Sequence, residues 1–236
     1  MPSKVILFDL GGVVFSSPFR GIARFAERHN LSNTSLNRAI AASETWRAAE
    51  RGELFITKTW FISFGEEVTS LYIKANEDGK GNAKIDGEDL FRSMMDAARE
   101  TDPHIFPALK RLRRVADAKG FVIAALSNTT APSREGAKGR DARLEGLFDV
   151  FVASADVGMR KPEERMFRFA VGKVGELLGR DVEMHEVVFL DDIGSNLKAA
   201  RKLGMRTIKV TLGKTEEAVK ELEELLGVSL GDTGKL

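Results

Sequence analysis

The side chains best suited to chemistry follow short apolar runs. An apolar run near the N-terminus ends in Asp9, and two later runs lead into Ser127 and into the Asp191-Asp192 pair. Lys161 follows another such run and directly precedes a proline. Three carboxylates, a hydroxyl and an ammonium thus occupy comparable positions after strand-like stretches.

These groups are suited to phosphate chemistry. Clustered carboxylates repel one another unless they share a cation, so Asp9, Asp191 and Asp192 predict a hard divalent ion. Oxygen ligands and a phosphate suit Mg²⁺ best. The cation neutralises an incoming phosphate and lets a carboxylate approach it as a nucleophile. Ser127 and Lys161 can then hydrogen-bond the transferring group and balance its charge.

Two glycines, Gly11 and Gly12, follow Asp9 closely. They remove side chains where backbone N–H groups must approach anionic oxygens, so we expect both at the phosphate. Each motif also has an ordinary explanation: a Ser-Asn pair is often a turn, and a lysine before proline is often solvated surface. Their occurrence at successive strand ends favours a common site.

The apolar runs predict five strands, at residues 4–9, 121–126, 150–153, 187–190 and 207–210. Continuous apolar runs of this length are typical of strands buried on both faces of a parallel sheet. Helical sequence separates them, with start signals at Asp102-Pro103 and at Pro162. We therefore predict an α/β fold with a Rossmann-like parallel sheet core and helices on both faces. Ligands of such sheets bind at the carboxyl ends of the strands.

Residues 16–102 contain amphipathic helical patterns and little that resembles a buried strand. An inserted α-helical cap is the expected result, with residues 1–15 and 103–236 forming the core and residues 16–102 the cap. Residues 76–87 are glycine-rich and charged, and they predict an exposed loop.

The bulk composition is that of an ordinary globular protein. The 236 residues carry 36 basic and 35 acidic side chains, a balance that gives no attraction to nucleic acid or membrane surfaces. There is no cysteine, and no apolar stretch approaches the ~18 residues that span a bilayer. We expect a cytoplasmic protein, monomeric or homodimeric, that acts on a small phosphorylated metabolite and binds neither nucleic acid nor membrane.

Four motifs in order resemble the haloacid dehalogenase superfamily and its helical-cap subclass. They are Phe-Asp-Leu-Gly-Gly-Val-Val at residues 8–14, Leu-Ser-Asn at 126–128, Met-Arg-Lys-Pro-Glu at 159–163 and Leu-Asp-Asp-Ile-Gly-Ser-Asn at 190–196. The first motif alone is weakly specific, but the ordered set is strongly specific. The resemblance extends from Phe8 to about Val210.

The resemblance implies a role for each matching residue. Asp9 would be the nucleophile and a metal ligand, and Lys161 would bridge Asp9 and the phosphate. Ser127 and the Asn128 backbone would hold phosphate oxygens. The remaining implied residues, which hold Mg²⁺ or brace its loop, are Asp192, Asp191 and Asn196.

The chain departs from the superfamily pattern at Gly11, where most phosphatases carry an acid-base aspartate. Such a group typically contributes ~10²–10⁴-fold to the rate. The Gly11 carbonyl can still serve as a Mg²⁺ ligand. The first motif is similar to an Asp-x-Gly subgroup that includes bacterial sugar-phosphate phosphatases, the N-terminal part of soluble epoxide hydrolase and a domain fused to acyl-CoA dehydrogenases. Trp46 and residues 50–53 are weakly similar to it as well.

Several interpretations of Gly11 stay open. The substrate has a good leaving group, or a cap residue supplies the proton, and the candidates are Glu44, Glu50, Glu53 and His29. Alternatively, the protein is a catalytically impaired binding or regulatory protein. A third alternative is a 2-haloacid dehalogenase with Arg20 as the carboxylate-binding arginine. The Asp191-Asp192 pair favours a Mg²⁺-dependent phosphatase, because a dehalogenase would not need it.

Overall fold

The structure is a computed structural model that describes residues 4–75, 83–131 and 141–231. Its sheet has five parallel strands in the order β3-β2-β1-β4-β5. The strands are β1 (Val5–Phe8), β2 (Val122–Ser127), β3 (Val150–Ala153), β4 (Val187–Asp191) and β5 (Arg206–Lys209). The predicted α/β, Rossmann-like core is confirmed, and each strand lies within one residue of its predicted position.

Both faces of the sheet are covered, which explains the continuous apolar runs. Alternate residues of a strand point to opposite faces. In β1, Ile6 and Phe8 join one hydrophobic cluster, whereas Val5 and Leu7 join a second cluster on the other face. No polar position interrupts β1 because neither face meets water.

In the described part of the chain, five α-helices connect or follow the strands of the core after residue 102. They are α6 (Ile105–Lys119), α7 (Ser154–Val157), α8 (Glu164–Leu178), α9 (Gly194–Lys202) and α10 (Thr215–Leu226). Helices α6 and α10 pack on the first cluster, and α8 and α9 pack on the second. No helix in the described ranges is both long and apolar enough to cross a bilayer.

The predicted helix starts need small corrections. Helix α8 begins at Glu164, not at Pro162. Helix α6 begins at Ile105, although Asp102 does cap it by accepting hydrogen bonds from the His104 and Ile105 N–H groups at 2.9 and 2.8 Å. The proline in each case lies in the turn before the helix.

A second group of helices lies between β1 and α6. They are α1 (Pro18–Arg28), α2 (Asn33–Ala42), α3 (Glu44–Glu50), α4 (Lys58–Ala75) and α5 (Gly87–Ala97). Their apolar faces form a cluster of their own around Phe25, Leu36 and Phe64. This separate cluster supports our proposal that residues 16–102, hereafter the helical segment, form a cap.

Helix α5 begins at the last residue of the loop expected over residues 76–87, and residues 83–86 before it have no regular secondary structure. Residues 76–82 lie outside the described residues, but Gly87 is buried and is the first residue of α5. A Cβ atom on Gly87 would lie 2.1 Å from the Phe61 carbonyl oxygen. This glycine therefore allows α4 and α5 to approach closely, and it does not mark a loop.

A similar close approach predicts a stability difference between two glycines. A Cβ on Gly21 in α1 would lie 2.0 Å from the Ser93 carbonyl oxygen in α5, whereas one on Gly172 in α8 would meet nothing within 4 Å. We expect Gly21→Ala to lower the free energy of unfolding by about 1–3 kcal/mol through overpacking. Gly172→Ala should raise it by about 0.5–1 kcal/mol, because alanine loses less backbone entropy than glycine. Urea denaturation of both variants measures this, and equal shifts would contradict the α1–α5 packing.

Candidate active site

The strand register brings Asp9 beside the aspartate pair. Phe8 lies opposite Leu190 of β4 and opposite Ala125 of β2. The Asp9 N–H continues this ladder and donates to the Leu190 carbonyl at 2.9 Å. Asp9 and Asp191 are therefore neighbours at the carboxyl end of the sheet, as the sequence predicts.

Lys161 joins these two carboxylates. Its Nζ lies 2.7 Å from Asp9 Oδ1 and 2.8 Å from Asp191 Oδ2, and its side chain is 1% exposed. Burial acts to lower the pKa of Lys161, but the charges of Asp191 and Asp9 outweigh it, so the pKa is raised. The ammonium therefore stays charged between two acids.

Three carboxylates converge here, from Asp9, Asp191 and Asp192, with one oxygen of each within 4.8 Å of the others. Burial raises the pKa of Asp9 well above its ordinary value, and the two neighbouring aspartates add to this against the opposing charge of Lys161. Burial and then the charge of Asp191 raise the pKa of Asp192 to about 6. One ammonium does not balance three carboxylates, so the cluster fits a divalent cation.

Asp191 and Asp192 differ in how their oxygens are used. Asp191 accepts from the Ile193 N–H at 2.7 Å and from Asn196 Nδ2 at 3.1 and 3.0 Å, in addition to Lys161. Asp192 Oδ1, by contrast, is buried and has no hydrogen-bond partner among the described residues. The donor that Asp192 Oδ1 lacks is what a bound cation would replace.

The loop that carries Lys161 is held by Asn128. The Lys161 N–H donates to Asn128 Oδ1 at 2.9 Å, and Asn128 Nδ2 donates to the Lys161 carbonyl at 3.1 Å. Sequence reasoning assigned only the Asn128 backbone and missed this side-chain contact. Ser127 is buried at the end of β2, and its hydroxyl lies 3.3 Å from the Asn128 carbonyl.

The two glycines after Asp9 serve different purposes. The Gly12 N–H donates to the Phe15 carbonyl at 2.8 Å, and its contact with phosphate stays a prediction. Gly12 has a φ of 84°, and a Cβ there would lie 2.2 Å from Asp192 Oδ2. Position 12 requires glycine because any side chain there would overlap the Asp192 carboxylate. A Cβ on Gly11 would meet only the Pro18 ring, at 3.5 Å, which is ordinary contact.

Ser17 is a further contact of the cluster that the sequence pattern did not reveal. Its side chain caps α1, is buried, and lies 3.4 Å from Asp192 Oδ2. The Ser17-Pro18 pair carries a helix-start signal, but that signal predicts only the cap. It says nothing of a carboxylate far away in the chain.

Of the proposed proton donors in the helical segment, most lie in ion pairs elsewhere. His29 lies 3.1 Å from Asp89, and both side chains are well exposed. Glu44 and Glu53 are exposed and pair with Arg51. The dehalogenase candidate Arg20 is also exposed, and it donates to Ser16 at 3.3 Å.

Glu50 is the exception among these candidates. It is buried, and Arg160 Nε lies 2.7 Å from its Oε2. Burial raises the pKa of Glu50, opposed by the charges of Arg160 and Lys161. Glu50 is therefore the candidate that the structure connects to the Lys161 loop.

The chain is similar to known proteins along most of its length. A model of the haloacid dehalogenase-like hydrolases matches residues 3–204. The bifunctional epoxide hydrolase 2 of Rattus norvegicus is 34% identical over 96% of this chain and 39% of its own length. Acyl-CoA dehydrogenase family member 10 of Mus musculus is 30% identical over 96% of this chain and 19% of its own length. The chain thus spans only about two fifths or less of these relatives.

Other similar proteins match along nearly their whole length. The glyceraldehyde 3-phosphate phosphatase of Methanocaldococcus jannaschii is 24% identical over 95% of this chain and 96% of its own. A predicted hydrolase of the same family from Porphyromonas gingivalis has a TM-score of 0.60 at 22% identity, covering 94% of this chain and 98% of that chain. A Bacteroides thetaiotaomicron family enzyme in complex with magnesium and inorganic phosphate has a TM-score of 0.55 at 20% identity, covering 90% and 96%. At these identities the solved structures show the fold alone.

The raised pKa of Asp192 predicts a pH-dependent stability without metal. A carboxyl group whose folded pKa is about 6, against an ordinary 3.8, stabilises the fold below its ordinary pKa and loses that contribution as the pH rises through about 6. We expect the difference in unfolding free energy, wild type minus Asp192→Asn, to fall by about 1–3 kcal/mol between about pH 4 and about pH 7 in EDTA.

Urea denaturation across this pH range measures the difference. Asp181→Asn is the control, because Asp181 is exposed and precedes β4, whose carboxyl end carries the cluster. Added Mg²⁺ should restore the stability of the wild type near neutral pH by binding the ionised cluster. A pH-independent difference between wild type and Asp192→Asn would contradict this electrostatic interpretation.

Proposed function

Since this chain belongs to the haloacid dehalogenase-like hydrolase family, we propose that it is a Mg²⁺-dependent small-molecule phosphatase acting through an aspartyl-phosphate on Asp9. The family match confirms the resemblance predicted from the four motifs. The observation that carries the proposal is the excess of negative charge around Lys161: three buried or half-buried carboxylates converge there, and the one ammonium pairs with only two of them, Asp9 and Asp191. Such a cluster is suited to a cation and an incoming phosphate.

The named activities of similar proteins support phosphate chemistry. The Methanocaldococcus jannaschii relative is a glyceraldehyde 3-phosphate phosphatase, and a relative from Aspergillus oryzae is a sesquiterpene phosphatase, 25% identical over 95% of this chain. These two substrates differ greatly in polarity. They therefore support a phosphate monoester as the substrate class and do not favour one metabolite.

The donor set fits Mg²⁺, which prefers oxygen ligands. Asp9, Asp192 and the Gly11 carbonyl would hold the ion, and Asp191 would orient the loop because its oxygens already accept hydrogen bonds. When bound, the ion supplies positive charge that offsets the negative charge of the phosphate.

Asp9 is held in a way that suits a nucleophile. Its Oδ1 accepts from the Leu10 N–H at 2.7 Å and from Lys161 at 2.7 Å. We assign the attack on phosphorus to Oδ2. An Asp9–phosphorus bond forms as the ester bond between phosphorus and the leaving oxygen breaks, and water then attacks phosphorus and releases inorganic phosphate and free Asp9. Ser127 and Lys161 would hydrogen-bond the phosphate oxygens.

The first prediction from the proposed function tests Asp9 as the nucleophile and the requirement for Mg²⁺. We expect Asp9→Asn to reduce hydrolysis of p-nitrophenyl phosphate to the level of the buffer blank, because an amide oxygen is a poor nucleophile. EDTA should abolish wild-type activity, and excess Mg²⁺ should restore it. Phosphate release is measured alongside circular dichroism, which controls for folding.

Each alternative gives a different outcome in the same experiment. Activity that survives Asp9→Asn or EDTA would exclude the mechanism. A broad ester panel without turnover, but with thermal stabilisation by Mg²⁺ or phosphate, would favour a catalytically impaired binding protein. Chloride release from 2-chloropropionate in metal-free buffer would favour a dehalogenase.

The second prediction concerns Gly11. Without an acid-base group in this position, the wild type should strongly prefer aryl phosphates, whose leaving oxygen needs no protonation, to alkyl phosphates. Gly11→Asp supplies a carboxylate, and the 3.5 Å clearance to Pro18 accommodates its Cβ. We expect the alkyl-to-aryl ratio of kcat to rise by about 10-fold or more.

Gly11→Ala is the matched control, because it adds the Cβ without the carboxylate. It should leave the ratio unchanged. An equal ratio in wild type and Gly11→Asp would indicate that another residue already donates the proton.

A further inference from the structure

One ion pair connects the helical segment to the core beside Lys161. Glu50, the last residue of α3, accepts from Arg160 Nε at 2.7 Å across 110 positions of sequence. Among the described residues, no other ion pair joins residues 16–102 to the rest of the chain. Arg160 directly precedes Lys161 in the chain.

The pair is largely removed from water. The Glu50 side chain is 9% exposed and that of Arg160 is 20% exposed. A buried charge is costly without its partner, so separating the two is unfavourable unless both return to water. Such a pair therefore favours the docked arrangement in which the two charges meet. When the two surfaces separate fully, water hydrates both ions again and the cost of the unpaired charges is removed.

Close to this pair in the chain, the backbone of the helical segment approaches the core backbone at two further positions, Gly52 and Ile56. A Cβ on Gly52, with a φ of 68°, would lie 2.2 Å from the Ala155 carbonyl oxygen of α7. The Ile56 N–H donates to the Ala131 carbonyl at 3.1 Å. The turn after α3 thus lies directly on the core loops that follow β2 and β3.

The contacts of Glu50, Gly52 and Ile56 lie on one side of the loop that carries Lys161. The Lys161 backbone is already held on the other side by the Asn128 side chain, at 2.9 and 3.1 Å. The Arg160 side chain, one residue earlier, is held only by Glu50 among the described residues. The short loop that aims Lys161 at Asp9 is therefore held by side chains of both parts, Asn128 of the core and Glu50 of the helical segment.

We propose that Glu50 and Arg160 are positioning residues, which couple the docking of the helical segment to the placement of Lys161 against Asp9. The pair acts through Lys161 and does not touch the reacting atoms. The kinetic part of this inference rests on the proposed phosphatase function. The docking part does not depend on it.

The experiment uses Glu50→Gln, Arg160→Gln and the double variant in the full chain. Glutamine keeps the length of each side chain approximately and removes the charge, so each single variant leaves one buried ion without its partner. We expect kcat on p-nitrophenyl phosphate at saturating Mg²⁺ to fall about 10-fold in each single variant, with a smaller change in KM. The double variant should lose less than the product of the two single effects, because neither charge is left unpaired.

Hydrogen exchange provides a readout without catalysis. The Ile56 amide bonds across the docked surfaces and therefore reports on docking, whereas the Lys161 amide bonds to Asn128 within the core and reports on the placement of its own loop. We expect each single variant to exchange about 10-fold faster at Ile56, with the exchange of β1 unchanged. A purely structural pair would instead lower the stability of the whole fold and leave kcat unaffected in the folded protein.

Glu164→Gln is the matched control. Its Oε1 pairs with Lys202 at 2.6 Å, and this exposed ion pair joins α8 to α9 without involving the helical segment. This control should retain wild-type kcat and Ile56 exchange.

The outcomes separate the two proposals. Unchanged Ile56 exchange and kcat in both single variants, or strictly multiplicative effects in the double variant, would overturn the inference. If a single variant does not fold, kcat and Ile56 exchange are measured on the double variant and on Arg160→Lys instead. Arg160→Lys keeps the charge but loses the Nε geometry. A wild type without phosphatase activity would refute the proposed function, and the exchange measurement would still decide the docking role.

Discussion

The rest of the site depends on the Lys161 ammonium buried between Asp9 and Asp191. Burying three charged groups is costly, and their mutual attraction compensates only when the geometry is good and the remaining oxygens are hydrogen-bonded. The Ile193 N–H and Asn196 donate to Asp191, and the Leu10 N–H donates to Oδ1 of Asp9, the oxygen that also pairs with Lys161. The buried salt bridge is thus held by groups that the sheet and the start of α9 provide.

The same geometry makes this edge of the sheet suited to a cation. Asp192 adds a third carboxylate, half-buried, whose Oδ1 has no partner among the described residues. The net negative charge is the electrostatic condition under which a divalent cation binds well. Gly12 contributes by the absence of a side chain, because any Cβ would collide with the Asp192 carboxylate.

Short-range patterns predicted some parts of the molecule and failed for others. The strands were predictable because burial on both faces leaves an uninterrupted apolar run, as in β1 and β4. Gly87 was interpreted as a loop residue, but it is the first residue of α5 and permits close helix packing. His29 was a reasonable proton donor by residue type, but it pairs with Asp89 on the surface.

The sequence by itself determined the parallel core and the residues that follow its strands, because strand burial and strand-end position are local properties of the chain. From these it predicted the meeting of Asp9, Lys161 and the aspartate pair. Only the tertiary structure decided which oxygens are left without partners, that Asn128 holds Lys161 through its side chain, and that Glu50 meets Arg160. Those contacts join residues far apart in the chain, and no local periodicity encodes the distance between them.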